Sequence, residues 1–476
     1  MSVRKTIFDT VAISSVGVIR ILAQFLAIPI MARILSPADY GLVAMAMPFL
    51  VFAMMIADAG IATSLVRTPT EDSKEWSTCF WLSMMLGMIL AAIMVASAPL
   101  IAMLFEEPQL SPIIMVLAII VLMQATGAVH NSALLKEQKF KFIASSEGIA
   151  ILIGIAVAVI TAMHGCGAWS LVFQQLTYYC VKIGLILKFS PFKPQRLFDI
   201  GTVGEHIRFG KDILTTYMVT FFTRSIDNLI IGKVLDAVAV GIYSMAFQFA
   251  RLPWMLVSGP LQTVFYSKMA KVKDDKDSIR KTFLILTRIL SIIIFPSMGM
   301  VAVAHESVYT ILLSDKWQES GRIFMMVAGV MALQAVMNGM CNTVMMALGQ
   351  TRLQVRQTTE QGIIWIITMF STIWFGLDCL VIAYSVVFLL YSPRILMLTL
   401  PLIDCNFRDY ISAIIIPIMI TFACIIIFIA TKSLFQPSII LQFITAFMLT
   451  VMGIMISGLS QYKIFLSEYR LMKNPI

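Results

Sequence analysis

Long runs without a charged residue constrain this chain more than any other feature. Residues 76–105, 109–135, 148–181 and 433–462 contain no Asp, Glu, Lys or Arg. A helix needs about 20 such residues to cross a bilayer, so each run is long enough to span it. Charged residues make up only 13% of the chain and mean hydropathy is +0.90, whereas soluble domains carry about 25% charged residues. The sequence therefore predicts an all-α integral membrane protein.

The apolar segments predict about 14 transmembrane helices. They cover residues 10–33, 41–66, 77–105, 110–135, 143–163, 167–189, 209–232, 239–266, 282–304, 320–347, 359–376, 379–399, 410–431 and 438–461. Of the 35 Lys and Arg residues, 24 fall on one side of this arrangement and five on the other. Because basic loops stay on the cytoplasmic side, both termini are predicted to be cytoplasmic. The net charge of +9 is then explained by loops beside anionic membrane lipids, and no nucleic-acid partner is expected.

The chain also repeats itself. Residues 33–46 read RILSPADYGLVAMA and residues 233–246 read KVLDAVAVGIYSMA, so that Gly41 aligns with Gly241 at an offset of 200. A recurrence of this kind is typical of transporters that are built from two related halves.

A second pair of positions extends the repeat. Glu147 at the start of the fifth predicted span aligns with Glu360 at the start of the eleventh. Each half crosses the membrane an even number of times, so the two halves are predicted to have the same orientation, with a shared cavity between them.

The repeat defines the predicted domains. An N-lobe with spans 1–6 covers residues 1–189, a cytoplasmic linker covers 190–208, and a C-lobe with spans 7–12 covers 209–399. Residues 400–476 hold spans 13 and 14, which lie outside the repeat, and a cytoplasmic tail.

Charged residues inside the predicted spans are the candidate functional residues, because charge at membrane depth is costly. Arg20, Arg224 and Arg251 lie in spans 1, 7 and 8. If they face the cavity, they form a positive site suited to a phosphate or diphosphate, which guanidinium groups bind in a bidentate way. Asp58 and Asp227 lie in spans 2 and 7. Each can either neutralise an arginine, as Arg224 and Asp227 can on one helix face, or bind H⁺ or Na⁺ as a coupling ion.

The remaining notable charges sit at helix ends. Arg33 and Lys233 end the first helix of each half on the outer side, where a positive charge near a helix C-terminus is favourable.

No motif for catalysis is present: GxSxG and HExxH are absent, the four histidines lack companions at zinc-ligand spacing, and the seven cysteines form no CxxC pair. We therefore expect no metal, no organic cofactor and no enzymatic activity.

Several short motifs carry a family resemblance. They are RILSPADYG at residues 33–41, Asp58-Ala59-Gly60 with Arg67, Asp227 with Ile231-Gly232-Lys233 and Gly241-x-Tyr243, and Ala347-Leu348-Gly349-Gln350-Thr351. On these residues the chain resembles the Wzx-type polysaccharide flippases of the multidrug/oligosaccharidyl-lipid/polysaccharide exporter superfamily, in particular the exopolysaccharide and colanic-acid branch. Tyr266 departs from the pattern, since relatives often carry proline before this loop.

The resemblance implies two six-helix lobes with two further C-terminal helices in the bacterial inner membrane. It implies an undecaprenyl-diphosphate-linked oligosaccharide as the substrate, flipped to the periplasmic leaflet by alternating access. It also implies the polysaccharide polymerase and export machinery as partners.

Two alternatives stay open. A drug/cation antiporter of the same superfamily predicts an acid-rich cavity, whereas this sequence has more arginine than carboxylate at mid-depth. A membrane glycosyl- or acyltransferase would need a large polar loop, and no loop is longer than residues 188–211.

Overall fold

The computed structural model describes residues 23–58, 64–66, 72–199 and 226–473, with six further residues between 200 and 225. Every regular element in these residues is helical, which confirms the predicted all-α class.

The first helices follow the predicted spans closely. They are α1 (Ala23–Ile34), α2 (Pro37–Asp58), α3 (Ser73–Phe105), α4 (Leu110–Lys136), α5 (Phe140–Met163) and α6 (Trp169–Phe189). After the linker, α7 covers residues 226–234, and it is followed by α8 (Ala237–Pro253), a π-helical turn (Trp254–Ser258) and α9 (Gly259–Lys271).

The remaining helices form the C-terminal part of the chain. They are α10 (Lys276–Val303), α11 (His305–Leu312), α12 (Gln318–Ala347), α13 (Thr351–Thr372), α14 (Leu377–Thr399), α15 (Phe407–Phe435) and α16 (Ile439–Lys473).

Ten helices in the described part of the chain are long and apolar enough to cross a membrane. They coincide with predicted spans 2–6, 9, 10 and 12–14. Spans 1 and 7 fall partly outside the described residues, and span 8 is interrupted by the π-helical turn after Pro253. Predicted span 11 corresponds to α13, whose first turns carry Arg352, Arg356 and Glu360. The total of about 14 therefore stays a prediction.

The chain divides into two compact units, residues 1–241 and 242–476. The lobe boundaries at residues 189 and 209 were drawn from the sequence repeat, and they stay a prediction. In the first unit, α4 is the central helix and packs against α2, α3 and α6. Small residues allow these close approaches: a Cβ added at Gly87 of α3 would lie 2.4 Å from Ala125 Cβ of α4.

In the second unit, α10 and α12 form the core. The two C-terminal helices pack on α10, where a Cβ added at Gly299 would lie 2.4 Å from Thr421 Cγ2 of α15, and one at Gly453 of α16 would lie 3.2 Å from Pro296 Cβ. In the described part of the first unit, α3 lies at the repeat-related position, and it leaves Leu100 and Met103 exposed.

The start of α2 explains the RILSPADYG motif. Ser36 caps the helix: its hydroxyl accepts from the backbone N–H of Asp39 at 3.2 Å, while the Asp39 carboxylate accepts from the Ser36 N–H at 2.9 Å. Pro37 occupies the first helical position, where a missing N–H costs nothing. The repeat-related α8 is capped in the same place by Asp236, which accepts from the N–H of Ala239 at 2.7 Å.

The two repeat-related helix starts also contact each other within the first unit. A Cβ added at Gly41 would lie 1.6 Å from the carbonyl oxygen of Ala237, and one at Gly241 would lie 1.9 Å from the carbonyl oxygen of Pro37. Pro37 and Ala237 are themselves 200 residues apart, so the contact is reciprocal, as a local two-fold axis requires. Only glycine permits backbones to approach this closely.

Replacing Gly41 by alanine should therefore destabilise the protein strongly, by about 3 kcal/mol or more, because neither backbone can move independently of its helix. Gly241→Ala should behave alike. Thermal unfolding in detergent measures the effect. Gly329→Ala is the matched control, since nothing lies within 4 Å of its added Cβ, and an unfolding temperature lowered equally in all three variants would contradict the close-contact explanation.

Candidate functional site

The structure describes the side chains of two of the five predicted intramembrane charges. Arg20 and Arg224 lie outside the described residues, and Asp58 ends α2 with a side chain that also lies outside them. The grouping of Arg20 and Arg224 around a diphosphate therefore stays a prediction.

Asp227 lies in α7 and is 7% exposed. Its carboxylate accepts a hydrogen bond from the backbone N–H of Asn228 at 3.0 Å, and the Asn228 side chain donates to the carbonyl oxygen of Ala44 in α2 at 3.4 Å. A buried carboxylate is costly unless it is hydrogen-bonded. The packing of α7 on α2 thus holds an ionisable group in the interior of the first unit.

Arg251 lies in the last turn of α8 and is exposed. Its guanidinium carbon is 5.9 Å from the ring centre of Phe247, which stacks on Tyr243 at 4.2 Å. A cation over an aromatic face is attracted by the ring quadrupole. Pro253 and the π-helical turn follow within one turn, so this arginine sits beside the irregular part of its helix, and π-turns are frequent at functional sites.

Arg33 and Lys233 are both exposed at their helix ends. Lys233 Nζ lies 3.2 Å from Glu106 Oε1, at the C-cap of α3. An exposed pair of this kind contributes little stability.

Glu147 forms an interhelical ion pair. Its Oε1 accepts from Lys182 Nζ at 2.8 Å, which joins α5 to α6, and both side chains are largely shielded. The Lys182 ammonium also lies 5.7 Å from the ring centre of Tyr178.

Glu360 occupies the corresponding place between α13 and α14. It accepts from Arg356 Nε at 2.9 Å, from Arg394 Nε and Nη2 at 2.8 and 2.9 Å, and from the Tyr391 hydroxyl at 3.3 Å. The Arg394 contact is bidentate, which fixes the plane of the guanidinium.

The basic partners are themselves related by the repeat. Lys182 precedes Arg394 by 212 residues, and Glu147 precedes Glu360 by 213. Sequence comparison of the halves identified the two glutamates but not their partners. The nearly equal offset is the signal that would have found them.

A cluster of aromatic and amide side chains lies inside the second unit. Tyr384 of α14 accepts a hydrogen bond from Gln334 Nε2 of α12 at 2.8 Å, and its ring centre lies 4.5 Å from Trp365 and 5.7 Å from Phe247. This cluster ties α8, α12, α13 and α14 together.

The same face of α12 continues with further amides. Asn338 donates to Gln361 Oε1 at 3.4 Å. The Oδ1 atoms of Asn338 and Asn342 are buried and have no hydrogen-bond partner among the described residues. Buried acceptors are nearly always paired, so these oxygens are available to water or to a hydroxyl-bearing ligand.

The linker is packed on the first unit. The backbone N–H groups of Gln195 and Asp199 donate to Ser77 Oγ at 3.1 Å and Thr78 Oγ1 at 3.0 Å. Phe192 also lies against the rings of Trp76, Phe80 and His130.

His206, at the end of the linker, is 2% exposed. Its Nε2 lies 2.5 Å from Glu75 Oε1, and its Nδ1 lies 2.5 Å from Ser64 Oγ. A carboxylate can only accept, so Nε2 carries a proton. His206 and Ser64 are buried and Glu75 is mostly shielded, and the hydrogen bond to Glu75 attaches the end of the linker to α3. No sequence pattern predicts this cluster, because Glu75 and Ser64 lie 131 and 142 residues before His206.

The aspartates at the start of α10 also have structural partners. Asp275 caps the helix, accepting from the N–H of Ser278 at 3.0 Å and from its hydroxyl at 2.6 Å. These bonds lower the pKa of the Asp275 carboxyl. Asp277 pairs with Arg280 and Lys281. Among the described residues, no three metal-ligand side chains converge.

The comparisons with known proteins agree with this architecture. A family model described as polysaccharide biosynthesis protein matches residues 30–322, which is more than half of the chain, so the chain belongs to that family. This confirms the resemblance that the helix-end motifs gave.

The chain is similar in sequence to two named relatives and in fold to one solved structure. The succinoglycan biosynthesis transport protein ExoT of Rhizobium meliloti (strain 1021) is 26% identical over 67% of this chain and 64% of its own length, slightly under two thirds. The lipopolysaccharide biosynthesis protein WzxC of Escherichia coli (strain K12) is 24% identical over 71% of this chain and 69% of its own length. The structure of the lipid II flippase MurJ in an inward closed conformation has a TM-score of 0.75 and 14% identity, and it covers 95% of this chain and 99% of its own. The chain is thus a multi-pass membrane protein with a transporter fold.

Replacing His206 by alanine should lower stability by about 1–3 kcal/mol, because it removes the hydrogen bonds that the imidazole forms with the Glu75 carboxylate and the Ser64 hydroxyl. His164→Ala is the control, since His164 is exposed and contacts only its own helix at the Ile160 carbonyl. Thermal unfolding of both variants in detergent decides between them. Equal unfolding temperatures for His206→Ala and the wild type would show that the linker is held by other contacts.

Proposed function

We propose that this protein flips a lipid-linked oligosaccharide across the bacterial inner membrane during the synthesis of a surface polysaccharide. The observation that carries the proposal is the family match over residues 30–322. The names of the relatives, which refer to succinoglycan transport and to lipopolysaccharide biosynthesis, support the same class of substrate. A fold like that of a lipid II flippase is compatible with it.

In this proposal the arginines of the predicted cavity bind the diphosphate, while the lipid chain stays in the bilayer. Arg20 and Arg224 are the principal candidates, and Arg251 is the third. The forked guanidinium suits a diphosphate better than a point charge does, because it donates two parallel hydrogen bonds. Alternating access then exposes the headgroup to each side in turn. The protein supplies binding and a path, and no bond of the substrate is made or broken.

We propose further that both termini are cytoplasmic, as the distribution of basic loops supports. Transport then runs from the leaflet where the lipid-linked unit is assembled to the leaflet where a polymerase and export machinery use it. A buried carboxylate can exchange H⁺ or Na⁺ as its surroundings alternate. Asp227, which is buried in α7, and Asp58 are the candidates for that role.

Removing the two principal arginines should abolish polymer production. We expect Arg20→Ala and Arg224→Ala each to reduce surface polysaccharide at least tenfold in a strain that depends on this protein, because each removes charge-assisted hydrogen bonds to the diphosphate. Arg→Lys should impair less than Arg→Ala, since the charge stays while the fork is lost.

The control for this experiment is Arg33→Ala, at an exposed helix end away from the predicted cavity. Membrane abundance of every variant is measured alongside. Normal polymer in the Arg20→Ala/Arg224→Ala double variant would sink the diphosphate site. Loss of the protein itself would instead assign the arginines to folding.

Coupling is tested in membrane vesicles with an imposed ion gradient. We expect Asp227→Asn or Asp58→Asn to make flipping independent of the gradient of either H⁺ or Na⁺, because an amide cannot take up a proton or match a carboxylate as a cation ligand. If both variants keep full gradient dependence, coupling resides elsewhere in the chain.

A further inference from the structure

Two arginines meet Glu360 of α13, whereas Glu147, at the repeat-related position of the first unit, pairs with a lysine. Glu147 and Lys182 are both largely shielded, with side-chain exposures of 23% and 17%. Glu360 is shared by Arg356 and Arg394, whose side chains are 66% and 46% exposed. The three side chains Glu360, Arg356 and Arg394 together therefore carry one net positive charge.

The two guanidinium groups have donors to spare. Arg394 uses its Nε and Nη2 edge on Glu360, and Arg356 uses its Nε. A guanidinium carries five N–H donors, and Glu360 takes only the Nε and Nη2 donors of Arg394 and the Nε donor of Arg356. Glu360 thus holds both planes in place while their outer edges stay open. That is the arrangement that binds phosphate oxygens in a bidentate way.

The side chains around the two arginines are apolar and exposed. Leu390 and Met397 flank Arg394 on α14 with exposures of 76% and 74%, and Val355 beside Arg356 is 63% exposed. On a membrane helix such a surface contacts lipid chains. An apolar cleft lies between α13 and α14 and is lined by Ile364, Phe388 and Tyr391 among others. The Tyr391 hydroxyl donates a hydrogen bond to Glu360.

This end of the second unit is also rich in other basic residues. Lys276 Nζ lies 3.1 Å from an Asp404 carboxylate oxygen just beyond α14, and Arg280 donates to the Asp404 carbonyl oxygen at 3.3 Å. Arg352 lies one turn before Arg356 and is exposed. Basic residues at a membrane boundary are attracted to the anionic lipids of the cytoplasmic leaflet.

We propose that Arg356 and Arg394 form a binding site for the phosphate of an anionic phospholipid, with its acyl chains on the apolar surface of α13 and α14. At the repeat-related position of the first unit, the described cation is Lys182, which is largely shielded and bonded to Glu147. The proposal is independent of the substrate that the protein carries. In this proposal, the positive charge of Arg356 and Arg394 that Glu360 does not neutralise binds a lipid on the second unit.

Native mass spectrometry of the purified full-length protein, titrated with phosphatidylglycerol and separately with phosphatidylcholine, tests the site. We expect the tightest-bound phosphatidylglycerol to lose about tenfold in affinity in the Arg356→Gln/Arg394→Gln double variant, since charge-assisted hydrogen bonds are lost. Phosphatidylcholine binding should not change. Lys182→Gln is the matched control from the first unit, and it should bind phosphatidylglycerol as the wild type does.

The single variant Arg356→Gln keeps the Arg394–Glu360 pair and replaces the double variant if that one does not fold. It should still weaken the binding of phosphatidylglycerol at least threefold. Retained affinity in a folded arginine variant, or an equal loss in Lys182→Gln, would overturn the proposal. A competition arm separates the ligand sources. If inorganic pyrophosphate displaced bound phosphatidylglycerol at the concentration at which added phosphatidylglycerol does, the site would not recognise the lipid chains. Displacement by a polyprenyl diphosphate at far lower concentration would reassign the site to the transported lipid.

Discussion

Within a bilayer no water is present to satisfy polar groups, and each one must find its partner inside the protein or cost several kcal/mol. The backbone meets this requirement by forming helices. Hydroxyl side chains meet it by donating to the carbonyl one turn earlier, as Thr161, Thr287 and Thr421 do to Val157, Phe283 and Pro417 at 2.7–2.8 Å. Several charged side chains instead take partners from a neighbouring helix, as Glu147 does with Lys182 and Glu360 does with Arg394.

The two units solve this problem differently at equivalent positions. Glu147 and Lys182 form a shielded pair, whereas Glu360 fixes two arginines whose outer edges remain exposed. The C-terminal helices add a second difference, because they bury α10 while its counterpart α3 keeps an apolar surface exposed. A duplicated fold has thus been given two distinct membrane-facing surfaces, and this allows one unit to recognise a lipid that the other does not.

The contact between Gly41 and Gly241 shows why the helix-end motif has the residues it has. Ser36 and Asp39 stop the helix end from fraying, Pro37 starts α2, and the glycine four residues later lets the backbone of Ala237 approach. Repetition at a constant offset places a glycine on each side of the same crossing. A motif that looks like a turn signal in the sequence is therefore also a packing surface.

The sequence by itself determined the helical membrane class, the positions of ten helices that are long and apolar enough to cross a membrane, and the family. Hydrophobic length and helix caps are properties of contiguous residues, which is why the sequence is enough for them. It also located both glutamates of the repeat. It did not determine their partners, the fastening of the linker through His206, or the burial of α10, since these join residues far apart in the chain. Such contacts depend on how the helices pack, and an apolar helix shows no periodicity that tells which of its faces meets protein and which meets lipid. That choice was made only by the tertiary structure.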